Sequence, residues 1–165
     1  MTQSIDRHPP LGIYNYAASY HVAADLICEE GLKATHPEAP VTFLYYHAIE
    51  LYLKAFLRFH GLSAECLKDI GHNYKRLLSE ASKRGLVLGE LESEVLNTLN
   101  GEIWGRSRYL EIGSSQEATP YALSETSKSL RQKVAKVLKD AGEPVRVPTR
   151  KKVIQRHLAH RHLDA

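Results

Sequence analysis

Four polar side chains, His47, Glu50, Lys54 and Arg58, recur at helical spacing in a mostly apolar run from Val41 to Gly61. At 100° per residue, the spacing i, i+3, i+7, i+11 stacks them on one helical face about 80° wide. An imidazole, a carboxylate, an ammonium and a guanidinium gathered in a cleft would have perturbed pKa values and would suit holding a phosphate or positioning a substrate. The plainer reading is a solvated face on which Glu50 and Lys54 form an i, i+4 pair worth about 0.3 kcal/mol. Phe43, Leu51 and Leu57 border the stripe closely and make a poor solvent face, which weighs against the plainer reading.

Three further segments carry chemistry. His72, in Gly71-His72-Asn73-Tyr74, follows a helix break and opens the next helix. There it serves as a cap or core hydrogen-bonder, or it joins the free amide groups of a helix start in holding an anion. Trp104, Arg106, Arg108 and Tyr109 cluster cations with aromatic rings at the end of a helix. Such a cluster either complements the helix dipole or binds nucleotide phosphates and stacks bases. The segment from Val145 to Ala165 interleaves Arg, Lys and His with Val147, Val153, Ile154, Leu158 and Leu163. It reads as a short basic helix for RNA or DNA, or else as a solvated or dimer-swapped arm. His157, His160 and His162 lack a carboxylate or cysteine at ligand spacing, so only an adventitious metal site is expected there.

The elements that must position these groups read as helices. The 165 residues suit one domain, and 43% hydrophobic with 25% charged residues is ordinary globular composition. The longest apolar run carries Glu50, Lys54 and Arg58, so no membrane span is expected. The N-terminus lacks a secretory signal's apolar core, and Cys28 and Cys66 form no CxxC or zinc spacing. A cytoplasmic location with reduced thiols, no cofactor and no metal is therefore expected. The net charge of +3 is uneven: residues 143–165 carry six basic and two acidic side chains, leaving the body near −1.

Helical periodicity predicts a first helix over Leu11–Glu30, stopped by Gly31, and a turn over Lys33–Pro40 before the central helix. A short helix capped by Ser63 breaks at Gly71, and a helix resumes at His72 and ends at Arg84-Gly85. The next runs from Gly89-Glu90 with Leu91, Val95, Leu96, Leu99 and Ile103 inward, and the last covers Tyr121–Ala141. No stretch alternates with period two between hairpin turns. The prediction is an all-α antiparallel bundle of four to five helices with no sheet, covering 1–142, and a basic C-terminal tail over 143–165.

The run from His47 to Leu57, then Gly61, Gly71-His72-Asn73, Leu77-Leu78 and later Arg108-Tyr109, resembles the HEPN superfamily of small helical domains associated with nucleotides and RNA. The resemblance covers about Leu11 to Ala141. It implies a homodimer with its functional groove at the interface, and RNA, a nucleotide or a cognate partner protein as ligand. Many HEPN domains are metal-independent endoribonucleases, often toxins or phage-defence effectors, built on an arginine and a histidine separated by four to six residues. No histidine follows Arg106 or Arg108 before His157; Arg150 with His157 and Arg156 with His162 fit the spacing only in the tail. The expected function is thus an RNA- or nucleotide-binding module in which Glu50, Lys54, Arg106, Arg108 and Tyr109 bind the ligand. The alternatives are an endoribonuclease using His47 or His72 with Arg108, and a structural dimerisation scaffold.

Overall fold

A computed structural model describes residues 8–99 and 118–146, and these contain six helices and no strand. Helix α1 spans Pro10–Glu30, α2 Glu38–Phe59, α3 Ala64–Ile70, α4 Tyr74–Lys83, α5 Glu90–Thr98 and α6 Pro120–Asp140. The all-helical prediction holds, and the short helix expected after Ser63 is α3; counting it separately gives six helices among the described residues where a bundle of four to five was expected.

Helix α2 is the centre, packed against α1, α6 and α4. Its sequence explains this position: Tyr45, Tyr46, Ala48, Ile49, Tyr52, Leu53, Ala55, Phe56 and Leu57 are all buried, and at 100° per residue they cover about 200° of the wheel. Contacts pair Tyr45 with Asp25, Tyr52 with Tyr14, and His47 with Tyr20, so residue numbers rise on one helix as they fall on the other. Helices α1 and α2 are therefore antiparallel neighbours. Ser127 of α6 meets His21 of α1, completing a three-helix core with Leu123, Leu130, Val134 and Leu138 facing inward.

Several boundaries follow from local chemistry. Pro10 occupies the first turn of α1, where its missing N–H costs no helical hydrogen bond, and Gly31 ends the helix at φ 72°. Ser63 caps α3 by accepting from the Cys66 amide, as its position in the sequence implies.

Three expectations need correction. The turn predicted over Lys33–Pro40 gives way at Glu38, because Pro40 falls in the first turn of α2, where no intrahelical donor is required. Helix α4 is capped not at His72 but by Asn73, whose side chain accepts from the Arg76 amide, so His72 stands just outside the helix. Leu91 was expected inward and is exposed; it sits in the first turn of the nine-residue α5, whose buried apolar residues are Val95 and Leu96. Ile103 lies outside the described residues. Val145, beyond the predicted domain boundary, packs against the core.

Candidate functional site

The stripe on α2 does not face bulk water. Glu50 is only 1% exposed although it is a carboxylate, and burial of that kind is tolerated where the charge is compensated. Lys54, one turn later and 17% exposed, donates to Glu50 Oε1 at 2.6 Å. The sequence spacing alone anticipates this pair.

The third member comes from 22 residues away. His72 Nδ1 lies 3.0 Å from Oε1 and 2.9 Å from Oε2 of Glu50, while half of the His72 side chain is exposed. Because the carboxylate accepts, Nδ1 carries the proton in this contact. Two local features deliver the ring. Gly71 turns the chain at φ 61° and ψ −123°, a conformation that side-chain-bearing residues avoid. Tyr74 then anchors the start of α4 to α2 by donating to the Tyr46 carbonyl at 2.8 Å in the buried interior. Burial, reinforced by the Glu50 charge, pushes the Tyr74 phenol well above its ordinary pKa, so it stays a donor.

His47 lies one turn before Glu50. Burial lowers its pKa; the Glu50 charge opposes that shift, and Lys54 and His72 add to it. The ring sits among aromatics, with centroids 4.4 Å from Tyr20, 6.3 Å from Phe43 and 6.5 Å from Tyr16. Arg58, the last member of the stripe, serves the backbone: Nη1 donates to the Leu62 carbonyl at 2.7 Å and Nε to the His8 carbonyl at 3.2 Å. The cluster is therefore His47, Glu50, Lys54 and His72, with Arg58 bonded to the carbonyls of Leu62, between α2 and α3, and of His8, before α1. Arg106, Arg108 and Tyr109, and the tail beyond residue 146, lie outside the described residues.

A second polar cluster escaped the sequence reading. His21 is 2% exposed, with Nδ1 3.0 Å from Ser127 Oγ and 3.4 Å from the Tyr52 hydroxyl, and Nε2 3.5 Å from Asp25 Oδ2. Asp25 also accepts from the Tyr45 hydroxyl at 2.8 Å. Desolvation lowers the His21 pKa to about 4 against the pull of Asp25, with Arg131 and Lys128 adding to the drop. The neutral ring faces two hydroxyls at Nδ1, where it accepts, and sets Nε2 beside Asp25. His21 was readable from sequence only as a core position of α1, since Ser127 stands 106 residues away.

A surface groove of about 620 Å³ lies elsewhere, lined by Leu62, Cys66, Ile70 and Ser79 with Glu65, Asp69, Arg76, Glu80 and Lys83. Asp69 pairs with Arg76 and Glu80 with Lys83, so its charges are largely spent on one another. Cys28 and Cys66 are exposed free thiols. Among the described residues, no three His, Cys, Asp or Glu side chains converge to hold a metal, and no helix is long and apolar enough to cross a membrane.

The chain matches no protein-family model, no curated protein and no solved structure.

Proposed function

We propose that this protein is a HEPN-like module that binds RNA or a nucleotide through phosphate at the Lys54–Glu50–His72 cluster. One observation carries the reading: a carboxylate 1% exposed holds an ammonium and a half-exposed imidazole in fixed geometry. Glu50 orients both donors and fixes the imidazole tautomer, and the remaining N–H groups of Lys54 suit phosphate oxygens. A buried carboxylate beside an anion site limits the net positive charge there, so the geometry of the donors supplies the selectivity.

Titration of a labelled single-stranded oligoribonucleotide and of ATP into the purified protein at rising salt tests the reading. Binding weakens with salt, and Lys54→Gln lowers affinity by about 10-fold or more, the size of one charged hydrogen bond. Affinity unchanged in Lys54→Gln and His72→Gln, with both variants folded, would overturn it.

A second reading rests on the same dyad. A carboxylate on one nitrogen of an exposed imidazole is the arrangement that prepares histidine for general acid–base work, as metal-independent RNA cleavage by the 2′-hydroxyl requires. Release of 2′,3′-cyclic phosphate ends from RNA, abolished by His72→Ala, would establish it; intact RNA after long incubation would leave binding alone.

A further inference from the structure

Helix α1 carries an aromatic pair beside this cluster, Tyr16 exposed and Tyr20 half-buried. Tyr16 is 56% exposed, its hydroxyl lies 3.1 Å from that of Tyr20, and the two rings meet edge to face with centroids 5.0 Å apart. Large aromatics in this setting normally bury their rings, and this pair is held ordered by its own hydrogen bond instead. His47 links it to the charged cluster: its ring lies 4.4 Å from that of Tyr20 and 6.5 Å from that of Tyr16, and on α2 it stands three residues before Glu50 and seven before Lys54.

Helix geometry sets the length of the combined surface. Seven residues separate His47 from Lys54, about 10 Å along the α2 axis. A strip with rings at one end and donors for phosphate at the other suits a ligand that is aromatic at one end and anionic at the other. An apolar partner would make no use of Lys54, and inorganic phosphate would make none of Tyr16.

We infer that Tyr16 and Tyr20 form a base-stacking subsite, and that the ligand is a nucleobase joined to phosphate, whether a free nucleotide or an unpaired RNA residue. This inference rests on the phosphate reading above and adds the base to it. The open face of Tyr16 stacks the base, Tyr20 and His47 hold Tyr16 from behind, and Lys54 and His72 take the phosphate. Stacking tolerates every base, so the subsite distinguishes nucleotides from bare phosphates more than one base from another.

Calorimetric titrations with ATP, inorganic tripolyphosphate and a single-stranded oligoribonucleotide test it on wild type, Tyr16→Ala and Tyr16→Phe. Wild type prefers ATP or the oligomer over tripolyphosphate by about 10-fold or more. Tyr16→Ala erases that preference while tripolyphosphate affinity stays the same, and Tyr16→Phe restores it. Whichever of ATP and the oligomer binds tighter identifies the natural source of the base. If all three probes bind but Tyr16→Ala keeps the preference, the stacking subsite is wrong and the phosphate site stands. If none of the three binds, the stacking subsite and the phosphate reading both fail.

Discussion

Among the described residues, two histidine–carboxylate contacts of similar composition stand in opposite settings. His21 has a serine hydroxyl at one nitrogen and an aspartate at the other, the residue set of a nucleophilic triad. Yet Ser127 is fully buried and His21 nearly so, and no substrate carbonyl reaches them. His72 is paired with a glutamate and stands half in solvent. In the first cluster the imidazole is buried and the carboxylate partly open; in the second the carboxylate is buried and the imidazole open. Residue letters alone would rank the first as the active site. Access to the ring that exchanges protons or binds anions ranks the second. The His21 cluster instead fastens α1 to α2 and α6, through Tyr52 and Ser127.

The comparison can be broken most directly through stability in acid. At pH 7 His21 is neutral in both the folded and unfolded chain. Below 6.5 the unfolded chain takes up a proton that the folded chain refuses until about pH 4. His21 therefore withdraws on the order of 3 kcal/mol of stability as pH falls through that window. Burial lowers the His47 pKa as well, so His47 acts in the same direction. Urea unfolding at pH 7 and at pH 4.5 should show the loss, and His21→Gln should flatten it. A full-sized acid loss in His21→Gln would mean that the buried ring is not its source.

Next in size is the Gly71 turn. Gly71→Ala forces a side chain onto φ 61° and should cost about 1–2 kcal/mol in urea midpoint analysis while weakening ligand binding through His72. Unchanged binding would separate the turn from the site. Tyr74→Phe removes one buried hydrogen bond and should cost about 1 kcal/mol, because the Tyr46 carbonyl keeps its place in the helix. Smallest in stability is His72→Ala, expected to cost less than about 1 kcal/mol because Lys54 still pairs Glu50 and water reaches the place of the half-exposed ring, yet expected to be among the most damaging for binding. A large stability loss in His72→Ala would make the His72–Glu50 contact structural, like that of His21.

The helices were legible because their signals are local. Gly31, Ser63 and Gly71 punctuate the chain where the sequence places breaks, and the apolar wheel of α2 announces its burial. The start of α2 was misread because proline is tolerated in a first turn as readily as in a loop. Within the site, Glu50 and Lys54 were legible for the same local reason, four residues apart on one helix. Contact between His72 and Glu50 depends on how a glycine turn aims one side chain across to another helix, which spacing does not encode. The His21 cluster depends on α6 returning to α1, and the tyrosine pair was visible as i, i+4 aromatics on α1 but went unweighed.

The measurement closest to the central claim is the long-range 1H–15N spectrum of the nine imidazoles, with His72 and His21 assigned from His72→Ala and His21→Gln. On titration with ATP, the ring nitrogens of His72 should shift saturably while those of His21 stay fixed. Fixed His72 resonances, or His21 moving in step with them, would contradict the division of the molecule into one open binding cluster and one closed structural cluster.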